Sequence, residues 1–441
     1  MLKLYPALKD GTRTHEHSHK TTRPTRQQDK QDEQDKQDEQ DTQDTQDKQD
    51  EQDTQDKQDE QDTQDKQDEQ DTQDNKTHKT TRRTRHTRHK TTLSTTKITI
   101  EQLLNRESGR VLFDVRTPAE YAQGHIPGAL NLPLFSNEER AEVGTIYKQA
   151  DPQQAFLKGL DFVGPKMRHF VEEARRLGPT GKIAVHCWRG GQRSSSMGWL
   201  LNLAGMDVEV VIGGYKAYRN YILQQFSERP ANLVIVGGET GSGKTEVIQA
   251  LQKLGEQVID LEGLAHHKGS AFGALGESSQ PTVEQFENDL FKTFQQCDPG
   301  RPIWLENESK PIGRVYIPDG VWKRILEAPL LALQVPFENR VNRLVEVYAQ
   351  FPKEHLISSF EKIGKRLGGQ HLKAALEALA IDDYAEAARI GLRYYDKAYN
   401  HHTLSKRDHS RIFYIPTENT EPAKTARELI AFAEKNNLCN W

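Results

Sequence analysis

The sequence has little cysteine and no long apolar run. Its 441 residues include only three cysteines, Cys187, Cys297 and Cys439, whose spacing gives neither a metal-binding pair nor a disulfide framework. No stretch reaches the roughly 18 apolar residues that a transmembrane helix needs. The N-terminus also lacks the continuous apolar segment of a signal peptide. These absences exclude a secreted disulfide scaffold and a membrane protein, and they favour a soluble protein of the reducing cytoplasm.

Apolar residues are also scarce, at 34% of the chain, but the deficit is local. Residues 28–74 repeat Gln-Asp-x with a period of three, and a run of mainly Thr, Arg, His and Lys continues to residue 92. Such a segment has no apolar surface to offset the entropy lost on ordering. We therefore predict a disordered tail over residues 1–92. Since the acidic repeat and the basic run largely cancel, the net charge of −5 indicates little about partners.

Beyond residue 92, short apolar runs alternate with segments of helical spacing. The predicted buried strands include residues 111–115, 182–186, 233–236 and 303–305. Alternating strands and helices predict parallel sheets in an α/β fold. Pro230 marks a boundary between a first domain, residues 93–228, and a second, residues 229–441, which has a helical C-terminal region.

A cysteine follows directly after one predicted strand, in the segment HCWRGGQRS at residues 186–194. Glycines and a following helix favour a loop whose amide N–H groups point inward and bind an anion. Such a loop favours the thiolate, which is the nucleophilic form of cysteine. The predicted catalytic residues are Cys187, Arg189 and Arg193, and the anion loop adds Trp188, Gly190, Gly191 and Gln192.

A glycine-rich loop, GETGSGKT at residues 238–245, follows another predicted strand and opens a helix. This is the full P-loop pattern in the context that supports it, and it predicts a diphosphate cradle. The phosphate-binding candidates are Gly238, Gly241, Ser242, Gly243, Lys244 and Thr245, with Thr245 suited to Mg²⁺ if one is used. Asp260, Glu306 and Glu308 follow neighbouring strands and are candidate acidic partners. The sequence leaves the metal requirement undetermined and indicates no tightly bound cofactor.

The first domain resembles the rhodanese family. The resemblance rests on DVR at residues 114–116, GHIPGALNLP at 124–133, and Gly213-Gly214 followed by KAY at 216–218. It implies a rhodanese-like fold with a sulfur-carrying cysteine. Five residues separate Cys187 from Arg193, where common rhodaneses have four. The larger loop is shared with cysteine phosphatases and suits a tetrahedral, phosphate-like donor.

The combination of both domains resembles the tRNA 2-selenouridine synthase family. Further matching segments are ERAEVGTIYKQ at residues 139–149, HKGSAFG at 267–273, ENESKPIG at 306–313 and YYDKAY at 394–399. The resemblance implies that a wobble 2-thiouridine of tRNA is geranylated from geranyl diphosphate and that selenophosphate then supplies selenium. Cys187 would act on the donor or on the adduct, or carry a perselenide. A selenophosphate-supplying partner is implied.

RNA contact is predicted for two regions. Residues 139–149 are expected as a long loop beside the cysteine, with Arg140, Tyr147 and Lys148 suited to RNA. Basic residues of the helical region would bind the phosphate backbone of the tRNA. Tyr394 or Tyr395 would stack on a base unless they pack in the core. The candidates for contact with the geranyl chain are Phe272, Phe286 and Trp304.

Three other functions remain open. The first is a generic rhodanese-type sulfurtransferase with an ATP-binding P-loop domain, which predicts thiocyanate formation and ATP turnover. The second is a cysteine phosphatase fused to a small-molecule kinase, and the third is a non-catalytic tRNA- or nucleotide-binding scaffold.

Overall fold

The computed structural model describes residues 95–105, 109–149, 151–399, 407–418 and 420–438. The tail predicted over residues 1–92, and Cys439, lie outside the described residues. Thr91–Trp441 form one compact unit. Within the described ranges, every helix is too short or too polar to cross a bilayer.

The first half of this unit is built on a five-stranded parallel sheet with strand order β1-β5-β4-β2-β3. Its elements are β1 (Thr96–Ile98), α1 (Ile100–Leu104), β2 (Val111–Asp114), α2 (Pro118–Gln123), β3 (Leu130–Asn131), α3 (Asn137–Gln149), α4 (Pro152–Val163), α5 (Met167–Leu177), β4 (Lys182–His186), α6 (Gln192–Leu203), β5 (Asp207–Val211) and α7 (Gly214–Glu228). Asp114 on β2 pairs with His186 on β4, so the two strands end side by side. Cys187 therefore emerges at the carboxyl edge of the sheet, where α/β folds bind ligands.

Residues 139–149, expected as a loop, belong to helix α3. A capping box starts this helix: the Ser136 N–H donates to Glu139 Oε2 at 2.8 Å, and the Glu139 N–H donates to Ser136 Oγ at 3.2 Å. The S-x-x-E spacing was the sequence signal for it.

The second half is built on another five-stranded parallel sheet, with order β12-β11-β6-β8-β7. Its elements are β6 (Asn232–Gly238), α8 (Lys244–Lys253), β7 (Gln257–Ile259), α9 (Leu261–Ala265), α10 (Val283–Gln296), β8 (Pro302–Glu306), β9 (Pro311–Ile312), β10 (Val315–Tyr316), α11 (Asp319–Glu327), β11 (Leu330–Gln334), α12 (Phe337–Tyr348), α13 (Lys353–Leu367), α14 (Gly369–Ala380), α15 (Tyr384–Tyr399), β12 (Ile412–Pro416) and α16 (Pro422–Lys435). The predicted fold class, two successive parallel α/β domains with a helical region, is confirmed. The helices α12 to α15 are inserted between β11 and β12, so the chain returns to the sheet after them.

One hydrophobic cluster contains residues of both halves. Tyr218 and Phe226 of α7 pack against Phe291 of α10, with ring centroids 6.5 and 5.8 Å from it. All three side chains are at most 2% exposed and belong to a cluster that also contains strand residues of both sheets. The predicted boundary at residues 228–229 thus falls in a connection between α7 and β6 with continuous packing on both sides.

Candidate active sites

Cys187 lies at the base of the loop between β4 and α6. Its side chain is 3% exposed, and Sγ lies 3.3 Å from Ser194 Oγ and 4.0 Å from the Gly191 carbonyl oxygen. The hydroxyl of Ser194 in the first turn of α6 is therefore placed to donate to a thiolate. Ser194 was not among the predicted site residues. Its position directly after Arg193 in the loop segment could have indicated it.

Two glycine contacts fix the shape of this loop. Gly190 has φ +69°, as predicted, whereas Gly191 has an ordinary φ of −90°. Gly214 has φ +56°, and a Cβ there would lie 2.3 Å from the Cys187 carbonyl oxygen. That oxygen accepts the Tyr215 N–H at 2.8 Å, and the Trp188 carbonyl oxygen accepts the Lys216 N–H at 2.9 Å. Backbone groups at the start of α7 thus fix the backbone of the cysteine loop.

The two loop arginines have different surroundings. Arg193 donates to Glu120 of α2, with Nη1 to Oε2 at 2.6 Å, so its charge is not free beside the thiol as the sequence suggested. Burial would raise the pKa of Glu120, but the hydrogen bond and charge of Arg193 outweigh it and lower that pKa. Arg189 is exposed and forms no ion pair with a described residue. Of the two arginines, Arg189 is thus the one available to an incoming anion.

A buried ionic layer supports the loop. Arg116 is 1% exposed and donates to both carboxylate oxygens of Asp114, and its guanidinium lies 3.8 Å from the centroid of the Tyr215 ring. Burial would raise the pKa of Asp114, but His186 and Arg116 lower it below its ordinary value. Burial likewise lowers the pKa of His186, which is fully enclosed. The motif DVR therefore has a structural role beneath the cysteine.

The same layer connects to the second half. Asn288 of α10 is fully buried and donates to the Tyr215 hydroxyl at 2.8 Å and to the His125 carbonyl oxygen at 2.9 Å. Its Oδ1 accepts from Arg219 at 2.6 Å, and the Tyr215 hydroxyl donates to Glu284 at 3.0 Å. Polar contacts as well as apolar packing thus join the cysteine half to α10.

The P-loop joins β6 to α8, as predicted. Gly241 and Gly243 each have φ +78°. Lys244 Nζ donates to the Gly238 carbonyl oxygen at 3.2 Å, and Thr245 Oγ1 donates to Glu262 Oε2 at 2.8 Å. The loop opens into a cavity of about 700 Å³. The side chains lining it include both cations and carboxylates, which suits a charged ligand held by amides and Lys244.

Of the two acidic residues that follow β7, Asp260 and Glu262, both of which were candidates, Glu262 contacts the P-loop. The Glu262 N–H also donates to Glu306 Oε1 at 2.7 Å. Burial, with the charges of Asp260 and Glu262, raises the pKa of Glu306 well above its ordinary value. Burial and the Glu262 charge raise the pKa of Glu308 to about 8, although Lys244 opposes the shift. Near neutral pH the Glu308 carboxyl group therefore holds a proton.

Helix α15 braces the P-loop from the other side. Arg340 of α12 is 4% exposed, donates to Asp396 at 2.7 and 2.9 Å, and reaches the Thr240 carbonyl oxygen at 3.2 Å. Its Nη2 also lies 3.0 Å from Glu239 Oε2. The Tyr399 hydroxyl accepts the Gly238 N–H at 3.1 Å. The matching segment at residues 394–399 therefore contacts the P-loop through Tyr399 and, by way of Arg340, through Asp396. The sequence did not predict these roles for Arg340 or Tyr399.

The residues predicted to contact RNA lie in two places. Arg140, Tyr147 and Lys148 are exposed on α3, where Tyr147 is 63% exposed. Tyr394 and Tyr395 line the P-loop cavity, and the Tyr395 hydroxyl accepts the Ala271 N–H at 3.2 Å. Tyr395 is therefore held by the protein, and base stacking on these tyrosines stays a prediction.

Known proteins resemble both halves of the chain. Residues 99–221 match the family model of the rhodanese-like domain, and residues 231–421 match that of the tRNA 2-selenouridine synthase AAA domain. A tRNA 2-selenouridine synthase of Sulfurovum sp. (strain NBC37-1) is 38% identical in an alignment of 293 positions that covers 60% of this chain and 78% of that protein. The protein of that name from Cronobacter sakazakii is 38% identical, covering 64% of this chain and 78% of its own.

The relative from Shewanella loihica, which has the same name, is 35% identical over 336 residues, covering 68% of this chain and 89% of its own. The two family-model matches cover the cysteine loop, the P-loop and the inserted helices. With both anion-binding loops in place, this chain belongs to the tRNA 2-selenouridine synthase family.

Proposed function

We propose that the protein converts 2-thiouridine at the wobble position of tRNA to 2-selenouridine, through an S-geranylated intermediate. Geranyl diphosphate would supply the geranyl group, and selenophosphate the selenium. The observation that carries the proposal is the presence of two separate anion-binding loops, one around a buried cysteine and one of P-loop type, joined by one core.

The P-loop would perform the first step. The uridine sulfur attacks the first carbon of the geranyl group, the carbon–oxygen bond breaks, and pyrophosphate leaves. The charge that develops on the leaving group is stabilised by amides at the start of α8 and by Lys244. No phosphoanhydride needs to be hydrolysed, so a nucleotide is not required for this chemistry.

Cys187 would perform the second step. Its thiolate attacks the phosphorus of selenophosphate, the selenium–phosphorus bond breaks, and hydrogen selenide is released; water later hydrolyses the phosphocysteine. The selenide adds to C2 of the geranylated base, and geranyl thiol departs with the proton. The Ser194 hydroxyl at 3.3 Å supports the thiolate, and Arg189 is available for the donor's phosphoryl oxygens.

Magnesium would fit beside the diphosphate. Mg²⁺ commonly takes one or two protein oxygens, keeps several waters and binds substrate phosphates. Thr245 and Glu262 provide such oxygens, which are 2.8 Å apart. The described residues contain no group of three or more His, Cys, Asp or Glu that could hold a metal ion, so a metal here would depend on the substrate. Its chemistry would be neutralisation of the leaving pyrophosphate.

The proposed substrates also imply a tRNA-binding surface, a supplier of selenophosphate and a cellular compartment. The exposed basic residues Lys362, Lys365 and Arg366 of α13 lie next to the P-loop cavity, which Arg366 lines, and they suit a tRNA backbone. A separate enzyme would supply selenophosphate, and the reaction would take place in the cytoplasm.

Mass spectrometry of tRNA nucleosides tests the proposal. Purified protein is incubated with 2-thiouridine-containing tRNA, geranyl diphosphate and selenophosphate. Cys187→Ala should accumulate geranylated thiouridine without selenouridine, whereas Lys244→Ala should form neither. Cys297→Ala is the matched control, because Cys297 is also buried but lies at the end of α10, and it should form both products.

Selenouridine formation by Lys244→Ala would remove the geranylated intermediate from the pathway. Unchanged tRNA with the wild-type protein, together with thiocyanate formation from thiosulfate and cyanide and with ATP turnover, would support the sulfurtransferase alternative instead.

A further inference from the structure

A second, apolar pocket adjoins the P-loop cavity. It has a volume of about 60 Å³, against about 700 Å³ for the P-loop cavity by the same measure. Five residues line both spaces, which places the two next to each other: Thr240, Ser270, Leu344, Tyr348 and Tyr395. The inserted helices α12 to α15 form most of the wall.

Three hydroxyl-bearing side chains lie where this pocket meets the P-loop cavity. Ser270, Tyr348 and Tyr395 line both spaces, and the Tyr395 hydroxyl accepts the Ala271 N–H at 3.2 Å. Much of the remaining wall is formed by apolar side chains such as Phe272, Leu356, Phe360 and Leu379. A nucleobase would leave its donors and acceptors without partners there, whereas a hydrocarbon would not.

We infer that this pocket binds the hydrocarbon chain of the diphosphate ester and that its wall sets the chain length accepted. The inference rests on the proposed function for the identity of the ester. The head group would lie on Lys244 and the P-loop amides, and the chain would pass Ser270 into the space between α12, α13 and α15. Of the three aromatic residues predicted to contact the chain, Phe272 lines the pocket. Phe286 and Trp304 are buried in the cores at 0% and 1% exposure and do not.

The wall of the pocket offers a position that can be filled. Gly391 of α15 lines it, and a Cβ there would lie 3.6 Å from two ring atoms of Phe360, which is ordinary contact. The Phe360 ring in turn packs edge-on against Phe272, with centroids 5.0 Å apart. A larger side chain at residue 391 would therefore fill part of the pocket beside Phe360, and a smaller one at residue 360 would enlarge it.

Two variants test this inference by calorimetry with geranyl diphosphate and with inorganic pyrophosphate. Gly391→Leu should weaken geranyl diphosphate binding by on the order of tenfold, since several methylenes lose their burial. Its pyrophosphate affinity should stay unchanged. Phe360→Leu should raise the preference for farnesyl over geranyl diphosphate roughly tenfold, measured by calorimetry as the ratio of the two dissociation constants.

Gly369→Leu is the matched control, because Gly369 is exposed at the start of α14 with no atom near its Cβ position. It should leave both affinities unchanged. Wild-type geranyl diphosphate affinity in Gly391→Leu, with chain preference unaltered in Phe360→Leu, would overturn the inference. If Gly391→Leu does not fold, as judged by its melting curve, Phe360→Leu alone decides.

The tRNA assay separates this inference from the proposed function. If the wild-type protein geranylates tRNA but the pocket variants keep its affinity and chain preference, the inference fails alone. If the variants alter chain binding but no geranylated or selenated nucleoside forms, the proposed function fails alone.

Discussion

Replacing Arg340 with methionine should both destabilise the fold and weaken diphosphate binding. Arg340 is 4% exposed and bridges Asp396 and Glu239, which are 20% and 32% exposed. Removing one partner of a buried pair costs about 3–5 kcal/mol. Because both carboxylates keep some contact with water, we expect the lower end, about 3 kcal/mol. The Thr240 carbonyl oxygen also loses a donor, so the P-loop loses its preorganised shape.

Urea unfolding and pyrophosphate calorimetry measure the two effects. We expect roughly tenfold weaker pyrophosphate binding, about 1.4 kcal/mol. The double variant Arg340→Met with Asp396→Leu should recover part of the stability, because it no longer leaves the Asp396 carboxylate unpaired. Arg389→Met is the control, since Arg389 pairs with Glu338 on the surface and such pairs contribute about 0–1 kcal/mol. Wild-type pyrophosphate affinity in Arg340→Met would refute the bracing role.

Three further predictions concern charge, the shared core and the cysteine loop. Pyrophosphate binding should weaken as pH rises through about 8, because Glu308, whose pKa is about 8, then gains a negative charge beside Lys244; Glu308→Gln, titrated in parallel, should lack this component. Asn288→Ala should lower the free energy of unfolding by about 2–4 kcal/mol, because it leaves buried partners unsatisfied, and urea unfolding should stay one transition; two transitions would contradict a shared core. Gly214→Ala should slow alkylation of Cys187 by iodoacetamide or abolish it, with pyrophosphate affinity intact, and an unchanged rate would show that the loop tolerates a Cβ there.

Both anion-binding loops could be predicted because their signals are local. A strand, a short loop containing glycine and a following helix lie within a dozen residues, and the geometry follows from backbone chemistry alone. The positions of Cys187 and Lys244 at the ends of β4 and at the start of α8 agree with that prediction.

The partners of these loops could not be predicted, since they are distant along the chain. Arg193 was expected beside the thiol, but Glu120, 73 residues earlier, accepts its hydrogen bonds. Tyr399 contacts Gly238 across 161 residues. Such choices depend on how helices pack on the sheet, which hydrophobic periodicity does not specify.

Helix α12 shows a different reason for a miss. Its segment is rich in charged residues, and no helix was predicted there, although Val341, Leu344 and Tyr348 recur at helical spacing. The fully buried residues of this helix are Arg340 and Val341, and Arg340 is charged. The apolar stripe is therefore short, which weakened the signal by which the helix could have been recognised.

The continuous packing of α7 against α10 restricts how two successive reactions can take place on one molecule. Domains on a flexible hinge can swing one reactive centre toward the other, but a joint filled with interlocked aromatic rings and buried amides resists such rotation. In the proposed reaction the nucleotide would therefore have to move: after alkylation, the anticodon would leave the carboxyl edge of one sheet and bind at that of the other. Handover would then be governed by how the RNA re-docks, and a tRNA with a stiffened anticodon loop would stall between the two chemistries.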